Sequence, residues 1–256
     1  MKAPNHARYL NTEFVGAGWP VRPWDNNTLH KEHTVRYAKI YDQLQTDACY
    51  AGGLSRYAFD YGTHRDFGSG DHICYHGVMD IFHEPKPAAG FYKSQCSPAE
   101  EVVLEAGFHW AIDDSASHTW PLPICSNCDT IKCSIGNEGK WHQIIELKPE
   151  RKQFPHLAYS PFLLTLPGGN DDWGDLRLDG YINGELKISK SFSGKGIDQQ
   201  FHLSADDSEL VADGSDATRV VFRVTDEYGA IRVSGWTCRL AEPAISRAIY
   251  ALPYRL

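Results

Sequence analysis

Glu13 is the residue most able to do chemistry in this chain. The run Tyr9-Leu10-Asn11-Thr12-Glu13-Phe14-Val15-Gly16 reads as a buried strand that delivers a carboxylate to its end. A carboxylate so placed serves as a nucleophile or base, or as one half of a structural pair. A second apolar run, Ala58-Phe59, leads into Asp60-Tyr61 and reads the same way. Behind it His64, Asp66, Asp71, His72 and His76 crowd one loop. That crowding, which includes the spacing His72-x-x-x-His76, invites a metal, but the residues fall in a loop rather than on a helix, and we read them as bonding to one another and lining a pocket. Ser55 and Ser69 lack the Gly-x-Ser-x-Gly elbow of an activated serine.

Cysteine chemistry is the other candidate. Cys125-x-x-Cys128, followed by Cys133 and His142, is the grouping closest to a zinc site, yet the second short-spaced pair is missing. From Asp129 the sequence alternates polar and apolar, which puts Ile131, Cys133 and Ile135 on one face of a strand. Cys133 is therefore expected in a core. No metal and no cofactor is expected.

The elements that must position these residues fall into three regions, 1–97, 98–168 and 169–256. In the first, Thr28 to Gln45 carries Leu29, Val35, Ile40 and Leu44 among charged residues, with Asn26, Asn27 and Thr28 as N-cap candidates, and predicts a surface helix. Strand, helix, strand order implies parallel strands whose carboxyl ends carry the chemistry. Gly62 to Pro87 is a long loop, and Lys86 to Gln95 a short closing helix. The second region alternates in short segments, Glu101–Leu104, Thr130–Ile135, His142–Leu147 and Phe162–Leu166, with Gly136 to Gly139 as a turn, and predicts a β-sandwich. In the third, Asp179-Gly180 and Asn183-Gly184 read as turns and Thr218 to Asp226 as a strong strand ending at Tyr228-Gly229. Residues 236–256 have no clear period.

Composition excludes several partners. The chain has 256 residues, 42% apolar and 12% aromatic, ample for folded cores. Its net charge of −8 has no basic face, so neither nucleic acid nor a membrane surface is an expected partner. No stretch approaches the roughly 20 apolar residues of a spanning helix, and the first residues lack a secretion signal, so a cytoplasmic location is expected. Seven cysteines form an odd, sparse set unlike a disulfide framework.

The segment from Phe59-Asp60-Tyr61-Gly62-Thr63-His64 through Cys74-Tyr75-His76-Gly77-Val78-Met79-Asp80 and on to Glu84-Pro85-Lys86-Pro87, together with Asn11 to Gly16 and the helix containing Glu32-His33, resembles the end of the catalytic barrel of glycoside hydrolase family 2, in particular its bacterial β-galactosidase-like members. Ser126 to Asp129 and Ala212 to Asp226 resemble the β-sandwich domains that follow that barrel. The likeness covers roughly residues 9 to 233. It implies a mixed fold: a partial α/β barrel remnant, the last two strand-helix units, followed by mainly β immunoglobulin-like sandwich regions. It implies that Glu13 is the catalytic nucleophile on the seventh barrel strand, that Asp60-Tyr61 close the eighth, and that Trp19, Trp24, Asp25, Asp60, Tyr61, His64 and Asp71 contact a β-galactoside-like carbohydrate. Many relatives carry a His shortly after the nucleophile, where this chain has Ala17-Gly18, and a Trp near Arg56-Tyr57.

Retaining glycosidases need two carboxyls about 5 Å apart. By the resemblance the acid/base is a Glu preceded by Asn on the fourth barrel strand, which this sequence lacks; Asn137-Glu138 imitates the dipeptide but lies in a Gly-flanked turn. The expectation is a truncated retaining β-glycosidase with little activity alone, associating as a homo-oligomer or with a companion chain through an open barrel edge at residues 9–61. The alternatives are a carbohydrate-binding or interaction module and an ester hydrolase using the loop.

Overall fold

The computed structural model describes residues 8–14, 21–64, 72–111, 119–137, 139–166, 173–195, 200–211 and 213–232, with the backbone of 254–255. Strands dominate. β1 (Tyr9–Phe14), α1 (Asn27–Leu44) and β2 (Tyr50–Ser55) form a strand-helix-strand unit whose two strands pair in parallel. Asn26 caps α1, its side chain accepting from Leu29 N, and the helix runs on to Gln45 much as its sequence indicates.

The second strand lies earlier than expected. It is Tyr50–Ser55, not the run into Asp60-Tyr61, whose Tyr61–Gly62 (β3) instead pairs antiparallel with Ile73–Cys74 (β4). Gly52-Gly53 conceal it, because glycine normally weakens a strand. Here a Cβ on Gly53 would stand 2.5 Å from Leu44 Cδ1 and 2.7 Å from Phe14 Cε1, so glycine lets the helix close on the sheet. Among the described residues there is no closed barrel.

α1 is not a surface helix. It buries Asn27, His30, His33, Thr34, Tyr37, Ala38, Asp42 and Leu44, a largely polar and aromatic face. Asn27 exchanges hydrogen bonds with the backbone of His109, and Asp42 Oδ1 accepts from His156 N and Leu157 N at 2.7 and 3.2 Å. These bonds fasten the helix to the β region, with α2 (Ala89–Lys93) beside it.

The β region has two facing antiparallel sheets. β5 (Leu104–Ala106), β6 (Leu122–Ser126) and β9 (Phe162–Leu164) form one in the order β5-β6-β9. β7 (Thr130–Asn137), β8 (Lys140–Leu147), β10 (Asp175–Ile182) and β11 (Glu185–Phe192) form the other in the order β11-β10-β7-β8. Leu104, Leu122, Ile124, Phe162 and Leu164 from the first meet Ile131, Cys133, Leu147, Leu176 and Leu178 from the second in one core, giving a sandwich. β6 is buried on both faces: Leu122 and Ile124 enter this core, and Cys125 packs with Phe91, Phe154 and Leu157 beneath the helices.

Two expectations are corrected by the pairing. The boundary at 168 does not separate sheets, since β10 lies beside β7. Asp179-Gly180 is not a turn but the middle of β10, where a Cβ on Gly180 would come within 2.7 Å of Cys128 Sγ and 2.9 Å of Ile188 Cγ2. The Asn183-Gly184 turn is present, with φ of 52° and 80°, the left-handed pair of a tight hairpin. Beyond the sandwich, β12 (Gln200–Ala205) pairs antiparallel with β14 (Val220–Thr225), and β13 (Leu210–Val211) pairs with β15 (Tyr254–Arg255). No described helix is long and apolar enough to cross a membrane.

Candidate functional site

Glu13 is aimed by an irregularity in its own strand. Asn11 pairs with Gly53 and Phe14 with Ser55, so β1 uses three steps where β2 uses two, and the surplus falls at Thr12-Glu13. Such bulges turn a side chain out of the pleat. Asn11 Oδ1 accepts from Glu13 N at 3.3 Å, and Phe14, buried, anchors the strand end. The Glu13 side chain is 59% exposed.

The next strand end supplies its partner. Arg56 N donates to Phe14 O at 2.9 Å, which draws the two strand ends together. The Arg56 guanidinium then donates through Nη1 to Glu13 Oε1 and through Nε to Tyr57 Oη, and lies 4.8 Å from the centre of the Tyr57 ring. Bonds to Glu13 and Tyr57 raise the Arg56 pKa and hold it charged. Tyr61 stacks edge-on against Tyr57 at 4.4 Å, and burial raises its hydroxyl pKa. Glu13, Arg56, Tyr57 and Tyr61 thus form one row.

A second, buried cluster adjoins it. Asp60 Oδ1 accepts from Lys86 Nζ at 2.7 Å and from Gly77 N at 2.9 Å, and both side chains of the ion pair are 0% exposed. Lys86 Nζ also donates to Tyr75 O at 3.2 Å. Burial pushes the Asp60 pKa up and the Lys86 pKa down, each against the pull of the other. Trp24 lies edge-on to Tyr75 at 6.4 Å, and Asp25 Oδ2 accepts from Arg22 N at 2.7 Å while its charge reaches Lys86. His76 feels both Arg56 and Lys86, and burial first, then those cations, lower its pKa. Along α1, burial depresses His30 to about 2 and His33 to about 3, with His109 and Lys86 respectively as the largest charged contributors.

The sequence candidates therefore divide. Glu13 and Tyr61 fall in the open row; Asp60, Trp24 and Asp25 fall around Lys86 and Tyr75. His64 is exposed beside Thr63, whose N donates to His72 O at 2.6 Å. Trp19, Asp66, Ser69, Asp71 and Glu138 lie outside the described residues. Cys133 lies in the sandwich core as its alternation indicates, and Cys125 enters the other core, beneath the helices. Among the described residues no three His, Cys, Asp or Glu side chains converge as metal ligands. Arg56 and Lys86 were not among the candidates. Their partners lie 43 and 26 residues away, and no local pattern pairs them.

No family model matches the chain. It is 39% identical over 230 residues to a β-galactosidase of Thermoanaerobacterium thermosulfurigenes, covering 86% of this chain and 32% of that protein. It is 34% identical over 241 residues to a β-galactosidase of Thermoanaerobacter pseudethanolicus, covering 90% and 32%. The chain thus spans about a third of the length of these relatives. Its fold is similar to that of a β-glucuronidase from glycoside hydrolase family 2, with a TM-score of 0.60 and 20% identity over 87% of this chain and 24% of that one. A β-glycosidase from Bacteroides vulgatus gives 0.55 and 17% over 76% and 23%.

Proposed function

We infer that this chain, homologous over most of its length to β-galactosidases and similar in fold to family 2 glycosidases, is the part of a retaining β-glycosidase that carries the nucleophile. The single observation that carries the reading is the Glu13 carboxylate, exposed at a bulged strand end and gripped by Arg56. In a double displacement, Glu13 attacks the anomeric carbon as the bond to the leaving oxygen breaks, and a second carboxyl protonates that oxygen. Water then cleaves the glycosyl ester with the second carboxyl as base. Arg56 orients Glu13 until the sugar arrives, and Tyr57 fixes the guanidinium. Trp24 and Tyr61 offer faces for the sugar, and Trp19, Asp25, His64 and Asp71 complete the proposed contacts.

The acid/base comes from a segment outside these 256 residues, for which the additional length of the relatives provides room. The β1–β2 sheet supports that partner. A parallel sheet is ordinarily buried on both faces and flanked by further strands, whereas Leu10 and Leu54 are exposed here. We take residues 1–97 as the end of an α/β barrel, and the two facing sheets as an immunoglobulin-like sandwich fastened to it.

Hydrolysis of an aryl β-galactoside and an aryl ester tests the reading. We expect near-background turnover of both by the chain alone. Mixed with the portion of the 39%-identical relative that precedes its matched segment, it should hydrolyse the galactoside, and Glu13→Gln should lower that rate by roughly three orders of magnitude. Turnover indifferent to Glu13→Gln would contradict the reading, and ester turnover by the chain alone would favour an esterase.

A further inference from the structure

We propose that the β12–β14 hairpin is a brace for the loop carrying Gly77 to Lys86, and that Glu84 is the positioning residue through which it acts. Glu84 stands between two arginines of β14 and its approach: Arg219 Nη1 lies 3.3 Å from Glu84 Oε1, and Arg223 Nη2 donates to Glu84 Oε2. Both arginines come from more than 130 residues along the chain. Arg219 also donates to Phe82 O and is itself held by Asp206, with Nε and Nη2 3.0 and 3.3 Å from its two oxygens. Arg223 reaches Ser204 Oγ at 3.4 Å. Asp206 and Ser204 belong to the β12 side of the hairpin, so each arginine is oriented before it meets the loop.

The loop is built to transmit that grip. Asp80 Oδ1 accepts from Phe82 N and Glu84 N at 2.8 Å each, and Asp80 N donates to Glu84 O at 2.8 Å, which locks Glu84 to the turn. On the far side, Met79 N donates to Ala58 O and Asp60 N to Met79 O, both at 3.0 Å, while Lys86 N donates to Val78 O at 2.9 Å. Lys86 then closes on Asp60. One continuous set of bonds therefore runs from the hairpin through Glu84 to the strand end that carries Tyr57, Asp60 and Tyr61. A lone surface ion pair contributes little. Two guanidinium groups on one partly buried carboxylate, one on each oxygen and each pre-oriented by a second partner, form a network that restricts the loop. That the braced loop serves a sugar site rests on the function proposed above; the brace itself does not.

Amide hydrogen exchange on the full chain tests the brace without any substrate, so an absence of glycosidase activity leaves the result intact. In Glu84→Gln, the amides of Asp60 and of residues 77–86 should exchange roughly tenfold faster, while those of β7 and β8 keep their rates. Glu84→Arg, which sets a third guanidinium against Arg219 and Arg223, should lose more protection than Glu84→Gln, and adding Arg223→Glu should recover part of that further loss, which a simple loss of packing would not allow. Raised ionic strength should speed exchange in the same loop of the parent chain and leave Glu84→Gln unaffected. Unchanged exchange over 77–86 in Glu84→Gln, an equal rise across β7 and β8, or no recovery on adding Arg223→Glu to Glu84→Arg would each overturn the proposal.

Discussion

Replacing Lys86 with methionine should destabilise the protein by about 3–5 kcal/mol, the usual cost of stranding one charge of a buried ion pair. Lys86 and Asp60 are both fully buried, and Asp60 Oδ1 depends on Lys86 Nζ and Gly77 N for its neutralisation. Without the ammonium, the carboxylate must take up a proton or draw water into the cluster. The methylene stem of methionine fills most of the vacated volume, so the loss reports the charge rather than a cavity. The double replacement Asp60→Leu with Lys86→Met should recover much of the stability, because a buried pair exchanged for apolar side chains is often nearly neutral. Urea unfolding of the three variants measures this. A loss below about 1 kcal/mol in Lys86→Met would show that the pair is solvated and that Asp60 is free to meet a ligand.

Acid should be the second large perturbation. Burial holds His30 near 2 and His33 near 3, below the unfolded value of about 6.5. Both folded values are depressed, so the native state binds fewer protons than the unfolded chain. The resulting stability is fully present above about pH 6.5 and is lost as pH falls toward the folded values. At pH 5 each histidine would forfeit about 2 kcal/mol. At pH 5 both imidazoles are still neutral in the fold and protonated only in the unfolded chain, so the two losses add to about 4 kcal/mol. Asp60, whose pKa is raised, works in the opposite sense and trims the loss. Urea midpoints at pH 7.5 and 5 should differ accordingly, and His30→Leu with His33→Leu should flatten the difference. Equal midpoints in the parent chain would mean that the polar face of α1 is open to water.

These residues show what could and could not be read from the chain. The cap at Asn26, the hairpin closed at Asn137 and Lys140 and the Asn183-Gly184 turn are local chemistry, and each lies where its sequence indicates. Cys133 was legible for the same reason, its alternation placing it on the buried face of β7. Gly52-Gly53 and Gly180 were illegible because the need for glycine comes from Leu44, Phe14 and Cys128, which arrive from elsewhere in the chain. The inner face of α1 misled because its buried residues are histidines, a tyrosine and an aspartate that meet partners on other elements. At the site, Glu13 was visible as a carboxylate at a strand end. The bulge that turns it and the guanidinium that holds it depend on pairing with β2, which no periodicity in residues 50–56 announces.

The nucleophilic role of Glu13 is the central claim, and covalent trapping tests it most directly. The chain, combined with the portion of the 39%-identical relative that precedes its matched segment, is treated with an activated 2-deoxy-2-fluoro-β-galactoside and digested for mass spectrometry. The fluorine slows hydrolysis of the glycosyl ester, so the intermediate of a retaining mechanism accumulates. The account predicts one fluorogalactosyl increment on the peptide containing Glu13, absent in Glu13→Gln. An increment on another residue, or equal labelling of Glu13→Gln, would contradict it.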